Sequence, residues 1–545
     1  MTALRRCVVI PAIKKNAVIP DQLVKRLAGK TLIQRALDTA LAVAPGRDVI
    51  VVTDSEEISL ICERNGARFH YDKTLRLLSL DLAAELRPIL AGLADEYESL
   101  IICRASCPLV TAADIEEAHA AFLASGADAL VTVRSVRHRI WEAREGGLGR
   151  FAADGEAELL VESKALIMLT RQAARTGRAE RVIPCFLNDR AVEINSYQDW
   201  WICERLLERR HVVFVVAGYP AIGMGHVYRA LMLAHEIANH KITFVCTRES
   251  ELAAGNIAAR DYRTVIQSQD EDLAATVLRQ KPDLVINDML NTDAAYMRRL
   301  KAGGGPVVNF EDEGSGADLA DMVFNALYET APSPERQTSR FHYGRRFFCL
   351  RDEFLTAERN VFRPGFGRGS GCLLVTFGGT DQPDFTRQTL DLVEPLCRER
   401  GVAVRVVTGP GYAHRDSLAE HVARLDNPLI RFEYATNIMS RMMEGADLAI
   451  CSAGRTVYEL AHMRVPGIVL AQHAREAQHT FARARNGFVY LGIMRDFRPG
   501  RLEQAFRRLL DDPERRRALY ERQSRIDFRA NKTKVVKSIL GLIGG

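Results

Sequence analysis

The sequence has no long apolar run of the kind that crosses or enters a membrane. Its most apolar stretch, Val212–Val216, is broken by Gly218 and Pro220 and is far shorter than the roughly 20 residues of a membrane-spanning helix. Residues 1–12 also lack the long apolar stretch of a secretory signal peptide. The sequence therefore predicts a cytoplasmic protein without a membrane span.

A strong excess of one charge is also missing. The chain of 545 residues has 74 basic and 69 acidic residues, which leaves a net charge of +5. The densest basic run, Arg515–Arg517, directly follows Asp511, Asp512 and Glu514, so it indicates a solvated helix face. A nucleic-acid-binding protein usually carries a basic stripe, and we therefore expect no nucleic-acid partner.

Cysteines are present but unclustered. The nearest two of the eleven are Cys103 and Cys107, and no CxxC pair has a second half. This spacing argues against a structural zinc site and predicts no metal bound by cysteines. Scattered thiols of odd number are typical of reduced, mostly buried cysteines in a cytosolic protein.

Strand and helix patterns alternate along the chain, which indicates βαβ units and mostly parallel sheets. The pattern restarts at Val212 and again after a loop rich in glycine and arginine, 363–371. We therefore predict an α/β protein with three domains, 1–208, 211–362 and 371–545. The last two form a pair of similar lobes, and such a pair makes a cleft that is suited to a ligand. The predicted strands of the three domains include Cys7–Ile10, Val49–Val52, Leu100–Cys103, Ala129–Val133, Val212–Val216, Ile242–Cys246, Leu284–Asn287, Cys372–Phe377, Val404–Thr408, Ile430–Phe432 and Leu448–Cys451.

The segment Gly223–Arg229 follows a strand and opens a helix. Gly223 and Gly225 allow a tight turn close to a ligand, and the helix N-terminus offers free N–H groups to a phosphate. His226 at this position is suited to act as a general base, to position water or to bind phosphate. The spacing alone is equally compatible with a plain strand–helix turn in which His226 is a cap.

The motif Gly-x-Gly-His-x-x-Arg resembles the UDP-sugar hydrolase of pseudaminic acid biosynthesis, a family similar in fold to the GT-B glycosyltransferases of peptidoglycan synthesis. Further matching segments run through residues 211–540: Asn287-Asp288, Val307–Asp312, Phe348–Phe354, Phe377–Asp381, Ser452–Glu459 and Gln478. The resemblance implies a GT-B-type pair of lobes that hydrolyses a UDP-linked amino sugar at its anomeric C–O bond. It assigns His226 to the attacking water and requires neither a cofactor nor a metal.

The same resemblance implies a set of residues that bind the nucleotide or the sugar. Two of them have plainer alternatives: Glu459 as a first-turn acid favoured by the helix dipole, and Asp381 as a turn residue. Arg455 replaces a small residue of the family pattern. The implied set is Gly223, Gly225, Arg229, Asp288, Gly378, Gly379, Asp381, Gly454, Thr456, Glu459 and Gln478.

The first domain resembles the CMP-sialic acid synthetases and related sugar-acid cytidylyltransferases, which implies a Rossmann-like, GT-A-like nucleotidyltransferase fold. The segments that carry the resemblance include Ile10–Ala12, Leu27–Ile33, Thr53–Ile58, Cys107–Leu109 and Val192–Asn195. CTP and a nonulosonic acid are the implied partners and Mg²⁺ the implied cofactor. The candidate site residues are Lys14, Lys15, Lys30, Asp54 and Glu193.

This domain departs from its family at charged positions. Ile13 and Gln22 replace an Arg and a Lys, and Asn195 stands where a second Mg²⁺-binding acid is expected. Because transfer from a triphosphate needs its charge neutralised, two interpretations stay open. The domain is an active cytidylyltransferase with altered details, or it keeps the fold without this activity.

We therefore predict an enzyme of nonulosonic-acid or surface-glycan precursor synthesis, with a UDP-sugar as substrate. Two alternatives remain for the C-terminal half: a GT-B glycosyltransferase with a sugar or lipid acceptor in place of water, and a non-catalytic nucleotide-sugar sensor or scaffold. Sugar stereochemistry and oligomeric state do not follow from the sequence.

Overall fold

The protein, described here by a computed structural model, divides into two compact units, Met1–Arg209 and Arg210–Gly545. The structure describes residues 5–16, 19–76, 81–136, 141–150, 159–220, 222–436, 438–494 and 499–544. One large sheet lies in the N-terminal unit and two lie in the C-terminal unit. The predicted α/β class with mostly parallel sheets is confirmed.

The N-terminal unit has one seven-stranded sheet with helices packed against it and two small sheets of two strands each, β2-β3 and β8-β9. Its strands are β1 (Arg6–Ala12), β2 (Arg26–Leu27), β3 (Lys30–Thr31), β4 (Val49–Thr53), β5 (Arg68–Tyr71), β6 (Ser99–Cys103), β7 (Ala129–Val136), β8 (Trp141–Arg144), β9 (Gly147–Arg150), β10 (Leu159–Thr170) and β11 (Val182–Phe186). Its helices are α1 (Leu32–Leu41), α2 (Glu56–Arg64), α3 (Leu82–Leu93), α4 (Ala112–Ser125), α5 (Arg171–Thr176) and α6 (Tyr197–Leu207).

The large sheet has the strand order β11-β7-β10-β6-β1-β4-β5. Its pairs are parallel except that β10 runs antiparallel to both β6 and β7. Pro11 predicts the end of the first strand at Ile10, but β1 continues to Ala12. At Pro11 the strand pairs only with β4, because its pairing with β6 stops at Val9, so the missing N–H of proline leaves β6 undisturbed.

The first lobe of the C-terminal unit is an all-parallel sheet of order β14-β13-β12-β15-β16-β17-β18. Buried valines and phenylalanines fill its central strands, as expected for a sheet covered on both faces. The strands are β12 (His211–Val216), β13 (Lys241–Cys246), β14 (Arg263–Ile266), β15 (Leu284–Asp288), β16 (Val307–Phe310), β17 (Met322–Asn325) and β18 (Phe341–Tyr343). The helices are α7 (Gly225–Glu236), α8 (Glu251–Ala258), α9 (Leu273–Leu278), α10 (Ala294–Ala302) and α11 (Glu353–Thr356).

The second lobe repeats this design with six parallel strands in the order β21-β20-β19-β22-β23-β24. Its strands are β19 (Cys372–Thr376), β20 (Ala403–Thr408), β21 (Ile430–Tyr434), β22 (Leu448–Ser452), β23 (Gly467–Ala471) and β24 (Phe488–Ile493). Its helices are α12 (Phe385–Arg400), α13 (Arg415–Leu425), α14 (Met439–Met443), α15 (Thr456–Met463), α16 (Ala474–Ala477), α17 (Pro499–Asp511), α18 (Pro513–Ser524) and α19 (Asn531–Leu540).

A buried aromatic cluster joins the two lobes. The ring of Tyr458 stacks on Phe348 of the first lobe at 4.2 Å and on Phe481 of its own lobe at 4.0 Å. The last helix, α19, packs back on the first lobe, where Lys532 Nζ lies 2.5 Å from Glu236. These contacts hold the two lobes as one unit. No helix in the described part of the chain is both long and apolar enough to cross a membrane.

Candidate active site

The predicted motifs of the C-terminal unit lie where the strand order of each sheet reverses. In the first lobe β12 lies between β13 and β15. Strand β12 ends at Val216 and β15 ends at Asp288. In the second lobe β19 lies between β20 and β22. Strand β19 ends at Thr376 and β22 ends at Ser452. In open α/β sheets, ligands bind outside the carboxyl ends of strands at such switch points.

Between these strand ends lies a cleft of about 920 Å³ that both lobes line. Most of the predicted residues line it: Gly223, Gly225, His226, Arg229, Gly378, Gly379, Gly454, Thr456 and Glu459. Asp288 lies fully buried behind His226. Asp381 and Gln478 do not line the cleft. The structure thus brings together residues that are up to 236 positions apart in the sequence, from Gly223 to Glu459.

His226 is held at the N-terminus of α7 by a buried carboxylate. Its Nδ1 lies 2.8 Å from Oδ1 of Asp288, the last residue of β15. Because a carboxylate only accepts hydrogen bonds, we assign the imidazole proton to Nδ1. Nε2 of the neutral ring is then the atom that is free to accept a proton from a ligand in the cleft.

Arg229, one helical turn after His226, neutralises the same carboxylate. Its Nε and Nη2 donate to the two oxygens of Asp288 at 2.7 and 2.6 Å, and its Nη1 donates to Glu311 at 2.9 Å. Burial opposes the charge on Asp288, but Arg229 and His226 outweigh it and hold the pKa of Asp288 below its ordinary value. A buried aspartate therefore stays ionised and orients the imidazole.

Burial lowers the pKa of His226 below its ordinary 6.5, against the opposing influence of its hydrogen bond to Asp288. The nearby charges of Arg229 and Arg475 lower it further. The imidazole is therefore neutral at pH 7, and it becomes protonated only as the pH falls through a value below 6.5. A neutral imidazole with an oriented free nitrogen is the state that a general base requires.

Glu311 was missing from the residues predicted for the site, although the segment Val307–Asp312 that contains it was singled out. It directly follows β16 and has φ +52°, a left-handed conformation that is uncommon for residues other than glycine. This turn lets the side chain accept from Arg229 while the backbone carbonyl accepts from Arg475 at 2.7 Å. Strained backbone of this kind concentrates at functional sites.

Glu459 lies in the first turn of α15 and contacts an arginine of the first lobe. Arg351 Nε donates to Glu459 at 2.9 Å, and Arg351 Nη1 lies 2.7 Å from Glu353. Glu459 lines the cleft. Arg351 is a second residue that sequence reasoning did not assign, although it stands in the quoted segment Phe348–Phe354.

Two glycine-rich turns face each other across the cleft. Gly223 and Gly378 have φ +78° and +88°, which only glycine adopts readily. A Cβ added to Gly225 would lie 3.2 Å from Cδ of Arg455, and one added to Gly379 would lie 3.5 Å from the backbone nitrogen of Met224. The N-termini of α7 and α15 therefore meet at close range, and both direct free N–H groups and positive dipole ends toward the cleft.

Asp381 and Gln478 have positions that differ from the rest of the predicted set. The Asp381 carboxylate accepts from the backbone nitrogens of Phe385 and Thr386 at 3.0 and 2.8 Å, so it holds the turn and caps the start of α12. Gln478 is exposed just after α16, outside the cleft. The residues of this segment that do line the cleft are Gln472, His473, Arg475, Glu476 and His479.

The candidate residues of the N-terminal unit are largely paired with one another or with neighbours. Lys14 Nζ lies 2.8 Å from Glu57 and 3.1 Å from Asp21, which raises the pKa of Lys14. Asp54 follows β4 and accepts from the backbone nitrogens of Lys14 and Lys15 at 2.7 and 3.4 Å. Asp54 thereby orders the loop after β1.

Of the other candidates, Lys15 is exposed, and Lys30 pairs with Asp38 of α1 at 2.7 Å. Glu193, the remaining acid of the predicted Mg²⁺ site, lies 2.5 Å from Arg104 Nη1. Within the described ranges, no group of three or more His, Cys, Asp or Glu side chains is arranged to hold a metal ion. Of the two positions that align with Mg²⁺-binding acids, Glu193 is paired with Arg104 and Asn195 is uncharged, so this pair does not fit the Mg²⁺ site that a cytidylyltransferase implies.

Two segments of the chain match known families. Residues 372–539 match the family described as "Glycosyltransferase family 28 C-terminal domain", and residues 21–184 match the "MobA-like NTP transferase domain". The second lobe of the C-terminal unit falls almost wholly within the first match. The chain thus combines an NTP transferase-like domain with a glycosyltransferase-like domain.

Three curated proteins are similar to part of the chain. "Uncharacterized protein MJ1062" of Methanocaldococcus jannaschii is 25% identical over 48% of this chain and 56% of its own length. "Spore coat polysaccharide biosynthesis protein SpsG" of Bacillus subtilis is 25% identical over 50% of this chain and 80% of its own length. "3-deoxy-manno-octulosonate cytidylyltransferase" of Francisella philomiragia is 32% identical over 25% and 53%. The chain spans about half the length of the first and the third of these proteins.

Among solved structures, Acinetobacter baumannii MurG is similar with a TM-score of 0.42 and 17% identity, over 61% of this chain and 99% of that one. The prediction of a UDP-sugar hydrolase is wrong, because the C-terminal segment matches a glycosyltransferase family. The glycine turns and the helix N-termini that suggested it are features suited to a phosphate-containing ligand, and they do not specify whether water or another hydroxyl attacks. The predicted nucleotidyltransferase-like first domain and GT-B-like pair of lobes are thus confirmed as domain types.

Proposed function

We propose that the C-terminal unit transfers a sugar from a nucleoside diphosphate sugar to a hydroxyl group of an acceptor. The observation that carries this proposal is the His226–Asp288 pair, with Nδ1 2.8 Å from Oδ1, at the edge of a cleft that both lobes line. A nucleotide on the second lobe and an acceptor on the first would meet at His226. The match of residues 372–539 to a glycosyltransferase family supports transfer.

In this mechanism Nε2 of His226 removes the proton of the acceptor hydroxyl as its oxygen attacks the anomeric carbon. The new C–O bond forms on the face opposite the leaving group, and the old bond to the diphosphate breaks with its electron pair on the phosphate oxygen. The product therefore has inverted anomeric configuration. The imidazolium that forms is stabilised by Asp288, which lies beside Nδ1 and stays ionised.

The leaving diphosphate needs positive charge in the place where negative charge develops. The N-terminus of α15, at Gly454, Arg455 and Thr456, supplies backbone N–H groups and a helix dipole at the cleft. Glu459, one turn later, is placed to accept from ribose hydroxyls, as the resemblance of Ser452–Glu459 to its family implies.

We infer a uridine nucleotide as donor from the same resemblance, and a cytoplasmic role in surface-glycan or nonulosonic-acid precursor synthesis. The names of two relatives, a spore coat polysaccharide protein and a sugar-acid cytidylyltransferase, support this direction. For the N-terminal unit we propose a nucleotide- or sugar-binding role without Mg²⁺-dependent catalysis, because Glu193 is paired with Arg104 and Lys14 with Glu57 and Asp21.

The test is an incubation of the full chain with UDP-, GDP-, dTDP- and CMP-sugars, each with and without a panel of sugar, sugar-phosphate and nonulosonic-acid acceptors. Mass spectrometry detects glycosidic products, and phosphorus NMR detects the released nucleotide. We expect nucleoside diphosphate release that depends on an acceptor and that His226→Asn abolishes. Release of free sugar at one rate with and without every acceptor would refute the proposal.

A further inference from the structure

Two arginines at the cleft, Arg455 and Arg475, have no carboxylate partner among the residues that the structure describes. Within the described ranges, neither Arg455 nor Arg475 forms an ion pair, whereas the carboxylates of Glu311 and Glu459 beside them are paired with Arg229 and Arg351. Each of the two unpaired arginines donates instead to a backbone carbonyl of the first lobe: Arg455 to Cys349 at 3.0 Å and Arg475 to Glu311 at 2.7 Å.

Arg455 is enclosed yet incompletely satisfied. Its guanidinium lies over the ring of Phe348 at 4.6 Å, and its Nη1 is buried without a hydrogen-bond partner among the described residues. Burial and the neighbouring Arg229 lower the pKa of Arg455 to about 10, so the group remains cationic at pH 7. A buried charge without a partner is costly, which favours an anionic ligand that offsets it.

The charges of Arg455 and Arg475 act on one region of the cleft. The charge of Arg455 acts to lower the pKa of Glu311, and the charge of Arg475 acts to lower the pKa of His226. Arg475 also donates to the backbone carbonyl of Glu311. Arg455 is also the N-cap residue of α15, and its Cδ lies against Gly225 at the start of α7. Two arginines that form no ion pair among the described residues thus flank the point where the two helix N-termini meet.

We propose that Arg455 and Arg475 form a paired cationic site for the two phosphates of the donor and make the C-terminal unit selective for nucleoside diphosphates over monophosphates. This proposal rests on the proposed function for the identity of the cleft as a nucleotide site. It distinguishes the donor from a CMP-sugar, the product type of the family that the N-terminal unit resembles. A sugar-linked diphosphate presents two phosphate groups, each with a negative charge, so each guanidinium can pair with one phosphate, whereas a monophosphate presents a single phosphate group.

The test is isothermal titration calorimetry of the full chain with UDP, UMP, GDP and GMP. We expect the wild type to bind one diphosphate at least tenfold more tightly than its monophosphate. Arg455→Gln and Arg475→Gln should each weaken binding of the diphosphate about tenfold, and at least one of them should leave the affinity for the monophosphate little changed, because a monophosphate has only one phosphate to pair. Arg455→Lys should keep part of the ratio because the charge remains. Arg424→Gln, on the exposed surface of α13, is the matched control and should leave both affinities unchanged.

An equal loss of diphosphate and monophosphate affinity in Arg455→Gln and Arg475→Gln would overturn the proposal, because it would indicate a structural role at the lobe interface. A wild-type ratio near one would overturn it as well. Thermal unfolding of each variant separates these outcomes from misfolding. If the ratio depends on the two arginines but no transfer occurs with any acceptor, the phosphate site stands and the proposed transferase function fails. If transfer occurs but the ratio does not depend on the two arginines, the proposed transferase function stands and the phosphate site fails.

Discussion

His226 and Arg229 share one carboxylate: Asp288 receives two hydrogen bonds from Arg229 and lies 2.8 Å from Nδ1 of His226. Because Arg229 already balances the charge of Asp288, the carboxylate orients the imidazole without holding it protonated. Burial then keeps the pKa of His226 below 6.5. The arrangement therefore presents a neutral, directed base at the cleft.

His226→Asn should reduce the rate of transfer about 10²–10⁴-fold, the usual cost of losing a positioned base. The affinity for the nucleoside diphosphate should stay within a few-fold, because His226 does not hold the phosphates in this account. Single-turnover transfer assays and calorimetry measure the two quantities. His421→Asn is the matched control, since His421 also pairs with an aspartate, Asp391, at 2.6 Å but lies outside the cleft. Equal effects of the two substitutions would exclude His226 as the base.

Glu459→Gln should weaken binding of UDP by about 1–3 kcal/mol, the cost of a lost charged acceptor for buried hydrogen-bond donors. A ribose contact also predicts that 2′-deoxy-UDP or 3′-deoxy-UDP binds the wild type less tightly than UDP, and that this difference disappears in Glu459→Gln. Calorimetry with the three nucleotides checks both effects. If the variant keeps the full discrimination against both deoxynucleotides, Glu459 serves only to hold Arg351.

Glu476 makes the stability of the ligand-free protein depend on pH. Burial raises the pKa of Glu476 from 4.5 to about 7, so the folded state favours the protonated acid. Its stabilising contribution is fully present below pH 4.5 and is lost as the pH rises through 7. Between pH 5.5 and 8 the free energy of unfolding should therefore fall by about 2 kcal/mol. Glu476→Gln should remove this part of the pH dependence.

Thermal unfolding followed by circular dichroism measures this effect in the C-terminal unit. Tryptophan fluorescence reports the N-terminal unit separately, because all three tryptophans, Trp141, Trp200 and Trp201, lie there. The exposed Glu420→Gln should retain the wild-type dependence. An unchanged pH dependence in Glu476→Gln would show that Glu476 does not titrate in this range.

The N-terminal unit should release no pyrophosphate above background when it is incubated with CTP, Mg²⁺ and nonulosonic acids. The reason is that Glu193 is neutralised by Arg104, Asn195 has no charge, and Lys14 is engaged by Glu57 and Asp21. A coupled pyrophosphate assay of the full chain measures this. Turnover at an ordinary enzymatic rate of about 1 s⁻¹ or more would contradict the prediction.

The sequence predicted the elements that carry strong local signals. Buried valine-rich runs such as Val212–Val216 are strands in the structure, and the glycine turns at Gly223 and Gly378 adopt the positive φ that makes glycine necessary there. The antiparallel strand β10 was not predicted, because its partners β6 and β7 are distant in the chain and its alternation is irregular around Lys164.

The site shows the same division. His226 and Glu459 stand in motifs with a local rationale, whereas the roles of Glu311 and Arg475 arise from contacts between segments far apart in the chain, which no sequence spacing records. Gln478 was predicted for the site, but it is exposed just after α16, whereas Arg475 and Glu476 within α16 line the cleft. The choice between water and another hydroxyl as nucleophile was also beyond the motif, because both reactions use the same nucleotide site.

The anomeric configuration of the transfer product tests the central claim most directly. Proton NMR coupling constants of the product, formed from an α-linked nucleotide sugar and the acceptor that the panel identifies, give this configuration. Direct attack by an acceptor hydroxyl deprotonated by His226 predicts a β-linked product and no free sugar. An α-linked product, or free sugar formed at the same rate without acceptor, would contradict the account.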